Sequence, residues 1–150
     1  MPLDRAPLLV EGEILVVRSG AYTGDSAIVT KEWVGSAPGY DLRAKCGARA
    51  DPRFVAYSLL SPAALAEIKL MSNRSAQPHL NADELGSIGI GDLPIDQQAE
   101  RADRLDIQRK RRDALVGEVE SQIGSLRELR QALITTAVTE GVEACEAVES

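Results

Sequence analysis

The sequence predicts an α+β protein, in which a small mixed α/β domain precedes one long α-helix of the coiled-coil type. All seven prolines lie at or before Pro94, so the following 150 − 94 = 56 residues can form one uninterrupted helix. Before that boundary, short runs of branched apolar residues are bounded by glycines, which is typical of strands and turns. We therefore predict a domain at 1–93, a helix at 94–140 and a disordered acidic tail at 141–150.

The composition is that of a folded protein outside the membrane. The chain has 150 residues, 44% of them hydrophobic, and 17 basic and 23 acidic side chains that give a net charge of −6. No apolar run approaches the roughly 18 residues of a membrane span, and Met1–Arg5 lacks the layout of a signal peptide. We expect a cytoplasmic protein with no membrane partner.

Acidity argues only weakly against contact with DNA, because it is unevenly distributed. Residues 1–94 carry 9 basic and 11 acidic groups, a net charge of −2, whereas residues 95–150 carry 8 and 12, a net charge of −4. Most of the repulsion that would keep a polyanion away therefore comes from the predicted helix and tail.

Few residues are suited to catalysis or to binding a metal. Cys46 and Cys145 lie far apart without CxxC spacing, and with the single histidine, His79, they do not provide a recognisable zinc site. A nucleophile–histidine pair would have to involve His79 itself. We expect a non-catalytic protein without a metal or cofactor, and a standalone hydrolase is the least favoured class.

The predicted strands lie in the first half of the chain. Leu8–Val10 and Glu13–Val17 are rich in branched residues and are separated by a glycine turn. Ser26–Thr30 forms the next predicted strand and Ser87–Ile90 the last, while residues 37–51 are expected to be irregular. Glu13–Val17 and Ser26–Thr30, which are joined by the polar loop at 18–25, should form a hairpin-like unit.

Helix starts are marked by capping residues. Asp51-Pro52 and Ser61-Pro62 each place a polar cap before a proline at the first helical position, and the second of these helices should end near Met71. A short helical turn is expected from Asn81 or the residue after it, because two acidic residues follow.

The long helical pattern runs from about Ile95 to Val138. Its apolar residues recur at steps of three and four, which is typical of a coiled-coil seam, and four basic residues at 109–112 interrupt the pattern. Such a narrow seam does not stabilise a lone helix, so a second helix should pack against it. The predicted contact positions are Leu105, Val116, Val119, Ile123, Leu126, Leu129 and Leu133.

Two polar loops and a basic cluster contain side chains suited to DNA; the cluster consists of Arg43, Lys45, Arg49 and Arg53. Residues 18–25 contain neither a Walker nor a GxGxxG motif. Their spacing alone favours an ordinary hairpin loop. The alternative is a loop that presents an arginine and hydroxyl groups to a polyanion. Residues 73–81 are either a plain connection or a source of groups for base edges. The candidate DNA-binding residues, including two from the basic cluster, are Arg18, Ser19, Gly20, Tyr22, Thr23, Arg43, Lys45, Arg74, Ser75, Gln77, His79 and Asn81.

Five segments resemble, in order, the specificity subunits of type I restriction–modification systems. They correspond to a strand and loop, two pieces of the later part of a target recognition domain, the junction into the spacer helix and the end of that helix. Together they span about residues 12–142. The segments are Gly12–Gly20, Asp51–Tyr57, Ser75–Asn81, Leu93–Glu100 and Leu126–Gly141.

The resemblance implies a non-catalytic subunit that recognises double-stranded DNA and docks the methyltransferase (modification) and restriction subunits. A full family member has two recognition domains and two spacer helices, whereas this chain would supply the later part of one domain and one helix. Either it is a half-subunit that pairs with itself or another specificity chain, or it is a truncated remnant that acts only as a helical interaction module. Self-pairing would favour a two-fold symmetric target, and a missing strand would leave an open sheet edge.

Overall fold

The computed structural model describes residues 7–72 and 78–148, with side chains described as far as Thr139. The α+β class with a long C-terminal helix is confirmed. The chain forms two compact units, Met1–Arg104 and Leu105–Ser150. The elements are β1 (Ile14–Val16), β2 (Ser26–Ile28), a 3-10 turn (Lys31–Trp33), β3 (Leu42–Ala44), α1 (Pro52–Leu59), α2 (Pro62–Ser72), α3 (Ala82–Ser87) and α4 (Ile95–Val148).

The sheet of the first unit is antiparallel, with β1 between β2 and β3. Ile14 lies opposite Ile28 and Ala44, and both Ile14 and Val16 are fully buried. Successive residues of a strand point to opposite faces, so residues two apart, such as Ile14 and Val16, enter the same core. That core consists of Ile14, Val16, Ala56, Leu59, Ala64, Ile68, Leu80 and Ile88.

Three sequence predictions about strands were wrong. Leu8–Val10 is not a strand; Leu9 instead exchanges backbone hydrogen bonds with the turn after the 3-10 segment, at 3.0 Å to both Gly35 and Ser36. Ser87–Ile90 is not a strand either, because Ile88 ends α3. Conversely, β3 lies within residues 37–51, where we expected irregular structure, and its three residues owe their conformation to pairing with β1.

The predicted helix starts were confirmed. The Asp51 carboxylate accepts hydrogen bonds from the backbone N–H groups of Arg53 and Phe54 at 2.8 and 3.3 Å, with proline at the first helical position of α1. The Ser61 hydroxyl accepts one from the N–H of Ala64 at 3.3 Å, at the start of α2. No described helix is long and apolar enough to cross a membrane alone; only α1 and α2 taken together have that length and composition, and they are bent by 64°.

The first ten residues of α4, 95–104, belong to the first unit. The Gln98 side chain accepts from the N–H of Asp51 at 2.9 Å and donates to the carbonyl of Leu93 at 2.7 Å. Ala102 is fully buried. The predicted disorder of the acidic tail at 141–150 stays a prediction; α4 is described as far as Val148. A single glycine in a helix costs only about 1 kcal/mol, so Gly141 does not end it.

Candidate nucleic-acid interface

The loop after β1 and the segment before α3 meet, although both were interpreted separately in the sequence. Ser19 and His79 form an isolated antiparallel bridge. The N–H of Leu80 donates to the carbonyl of Arg18 at 2.8 Å. Candidate DNA-binding residues that are 61 positions apart, Arg18 and His79, therefore share one surface.

The loop after β1 is held in shape by its glycines and one hydroxyl. Thr23 Oγ1 donates to the carbonyl of Gly20 at 2.7 Å, so this hydroxyl is used within the loop. Gly24 has a φ of +98°, and a Cβ there would lie 2.8 Å from Ile68 Cγ2, which makes glycine necessary at this position. Tyr22, by contrast, is 71% exposed and available to a ligand.

Arg18 is the centre of a small cluster. Its guanidinium carbon lies 4.5 Å from the centroid of the Tyr40 ring, a cation–π contact. Its Nη2 lies 3.2 Å from His79 Nε2, and because arginine only donates, that nitrogen must be the unprotonated acceptor. Tyr40 was not among the predicted contacts, because it lies in the segment expected to be irregular and no local spacing relates it to Arg18.

Arg43 and Lys45, both predicted to contact DNA, converge on a buried carboxylate. Glu13 is 3% exposed, and its oxygens lie 2.5 Å from Arg43 Nη2 and 3.1 Å from Lys45 Nζ. Arg43 also donates to the carbonyls of Pro7 and Leu8, at 2.6 and 3.0 Å. Arg43 therefore has a structural role, because it anchors the segment before β1. Its contact with DNA stays a prediction.

The pKa of Glu13 reflects these contacts. Burial alone raises the pKa, but the hydrogen bonds from the N–H of Val10, from Arg43 and from Lys45 outweigh burial and lower it from 4.5 to about 2. The carboxylate therefore stays charged at neutral pH and keeps both basic groups in place. Lys45 remains 72% exposed and is the freer of the two cations.

Asn81 caps α3. Its side-chain oxygen accepts from the N–H of Glu84, and the Glu84 carboxylate accepts from the N–H of Asn81, both at 2.9 Å, which is a complete capping box. The remaining predicted contacts in this loop, Arg74, Ser75 and Gln77, lie outside the described residues.

The predicted contact face of α4 is exposed along its whole length. Its seven residues range from 37% exposed at Leu105 to 64% at Leu126. Four further apolar side chains, which the seam pattern did not include, are also exposed: Ile107, Leu115, Ile134 and Val138. Exposed apolar side chains at this spacing, although interrupted by the basic residues 109–112, are typical of a helix that packs against a partner.

Among the described side chains, no group of three His, Cys, Asp or Glu residues could hold a metal ion. The chain matches no protein-family model, and comparisons with curated proteins and with solved structures return no match either. The geometry of its own residues is therefore the basis for assigning a function.

Proposed function

We propose that this protein is a non-catalytic DNA-specificity subunit, or half-subunit, of a type I restriction–modification system. It recognises DNA through the surface formed by residues 18–23 and 79–81, and it docks methyltransferase and restriction subunits through α4. The observation that carries the proposal is the bridge between Ser19 and His79, since it brings together two loops in which the sequence placed candidate DNA contacts independently.

The chemistry of this surface suits a polyanion with hydrogen-bonding edges. Arg18 supplies planar donors that match guanine or phosphate oxygens, and Tyr22 lies exposed on the same loop. Because the chain as a whole carries a charge of −6, attraction to DNA comes from local basic groups rather than from the bulk charge. Binding should therefore weaken steeply with added salt and should require the partner subunits for high affinity.

The exposed seam of α4 supports the docking role, and it also permits pairing with a second copy. Arg109 and Arg112 lie seven residues before Val116 and Val119, so they occupy the same seam positions one heptad earlier. A parallel pair in register would place each arginine against its own copy, which is unfavourable. The charges therefore disfavour a parallel dimer.

An antiparallel pair removes this conflict. If it is centred between residues 124 and 125, Arg109 lies opposite Glu140, and Val116 lies opposite Leu133. Basic and acidic ends then face each other, and Ile123 lies opposite Leu126 as a second apolar layer, whereas Val119 and Leu129 lie opposite Arg130 and Glu120. Analytical ultracentrifugation should show a concentration-dependent dimer, and Leu126→Lys should abolish it; a monomer at all concentrations would leave only the partner subunits as occupants of the seam.

The test of DNA recognition uses the full chain with its partner methyltransferase. Fluorescence anisotropy with duplexes selected from a randomised pool should show sequence-dependent binding, and Arg18→Ala should weaken it about tenfold or more, as expected for one bidentate arginine contact. Arg104→Ala is the matched control, because it removes the same charge from a residue that pairs with Glu100 on α4. Unchanged affinity in Arg18→Ala would contradict the assignment of this loop.

A second candidate function is a helical interaction module that no longer recognises DNA. The exposed face of α4 favours it independently, since that face needs a partner whether or not the loops bind DNA. In this case the chain would form a complex with the methyltransferase, and the complex would bind selected and unselected duplexes equally. The same anisotropy series therefore separates the two candidates.

A further inference from the structure

Tyr40 lies beside the loop residues assigned to DNA, although no sequence motif connects it with them. Its side chain is 73% exposed, and the Arg18 guanidinium lies over its ring. Tyr40 belongs to the segment between the 3-10 turn and β3. Because β3 pairs with β1, with Leu42 opposite Val16, this segment lies beside Arg18. Because the Tyr40 ring is exposed, it does not pack in the hydrophobic core, and it is free to contact the Arg18 side chain.

Stacking is a contact that leaves the donors of an arginine free. All five N–H donors lie in the plane of the guanidinium, so a ring packed on its face takes none of them. His79 contacts only Nη2, at 3.2 Å. The buried Nε has no hydrogen-bond acceptor among the described residues. Within that part of the chain, the Tyr40 ring and His79 are the contacts that orient the group.

We propose that Tyr40 is a positioning residue for DNA recognition: its ring fixes the plane of the Arg18 guanidinium so that the remaining donors meet a pair of acceptors on DNA. Those acceptors are either O6 and N7 of a guanine or two phosphate oxygens. An arginine without the ring contact would lose side-chain rotamer freedom when it binds DNA, which costs binding free energy. The ring contact restricts the side chain beforehand and so reduces that cost. This inference rests on the proposed function of the loop.

The test compares Tyr40→Phe, which keeps the ring, with Tyr40→Leu, which removes it. In the complex with methyltransferase, Tyr40→Leu should weaken binding to a selected duplex by roughly two- to fivefold, the size of one exposed cation–π contact, while Tyr40→Phe stays near wild type. In an Arg18→Ala background, Tyr40→Leu should have no further effect. Trp33→Leu removes another exposed aromatic side chain, 60% exposed, and serves as the matched control.

The outcomes also identify the acceptor. A loss confined to the selected duplex indicates a guanine edge, whereas an equal loss on an unselected duplex indicates phosphate. Full affinity in Tyr40→Leu, or the same loss with Arg18 absent, would overturn the positioning role.

Failure of the proposed function itself looks different. In that case the wild-type complex selects no preferred duplex from the pool, which also overturns the role of Tyr40 in DNA recognition. The stacking can be measured without DNA, since the Arg18 side-chain protons should show a ring-current shift by NMR in wild type and in Tyr40→Phe. That shift should disappear in Tyr40→Leu, and its absence from wild type would overturn the stacked arrangement.

Discussion

The two units of this protein are stabilised in opposite ways. The unit that ends at Arg104 surrounds a core in which Ile14, Ile68 and Leu80 are fully buried. The unit that begins at Leu105 is a helix whose apolar side chains, as far as they are described (to Thr139), remain exposed. Long-range packing holds the first together, whereas the second relies on local helix formation and needs another surface to bury its seam. The first is thus suited to fix a site, and the second to bind a partner.

The strongest test of this comparison replaces one buried and one exposed apolar residue. Ile68→Ala should lower the free energy of unfolding of the first unit by about 3 kcal/mol, because it leaves a cavity in the core. Leu126→Ala, at a 64% exposed position, should cost less than about 0.5 kcal/mol in the isolated chain but should weaken association with a partner. Urea denaturation and a pull-down with methyltransferase measure the two effects; equal losses of stability would contradict the comparison.

A second test uses the buried carboxylate of the first unit. Glu13→Gln should destabilise that unit by on the order of 2 kcal/mol, less than the roughly 3–5 kcal/mol for a fully buried pair because Lys45 is exposed. The pKa of Glu13 is lowered from 4.5 in the unfolded chain to about 2 in the folded one. Its contribution is therefore complete above about pH 4.5 and is lost as the pH falls towards 2.

The variant should accordingly show a flatter fall in melting temperature between pH 5 and about 2 than the wild type. Glu118→Gln, on the second unit, is the control and should leave the pH profile unchanged. Parallel profiles for Glu13→Gln and wild type would show that this carboxylate does not couple folding to pH.

The test with the smallest expected effect asks whether Asn81 only caps α3 or also contacts DNA. Asn81→Ala should cost about 1 kcal/mol, since it removes a helix cap from α3. Asn81→Asp keeps the capping oxygen and should leave stability within about 0.5 kcal/mol of wild type. If the Asn81 amide contacts DNA, the aspartate variant should still lose affinity in anisotropy. Full affinity in the aspartate variant would restrict Asn81 to its structural role.

The parts of the fold that the sequence predicted are those with local causes. Asp51-Pro52 and Ser61-Pro62 start helices because a capping oxygen and a fixed proline φ act within one turn. The errors concern strands, which depend on partners: Leu8–Val10 is apolar enough to be a strand but pairs with a turn. β3 is too short to be recognised without the strand beside it.

The candidate site was predicted residue by residue but not as an arrangement. The sequence selected Arg18 and His79 in separate loops, and it placed Arg43 and Lys45 in a basic cluster with Arg49 and Arg53. It did not indicate that Glu13 would bind both Arg43 and Lys45, or that the Arg18 guanidinium would lie over the Tyr40 ring. Each of these contacts joins residues that are distant in the chain, so no local pattern contains them.

The sequence by itself determined where the helices begin, that the chain after Pro94 could be one helix, and which side chains carry donors for DNA. Only the tertiary structure decided which of those side chains meet, because sheet register and loop pairing bring Arg18, Tyr40 and His79 together. It likewise decided that Arg43 anchors the chain through Glu13. The physical reason is that capping and helix formation act over a few residues, whereas a site is assembled by contacts between distant ones.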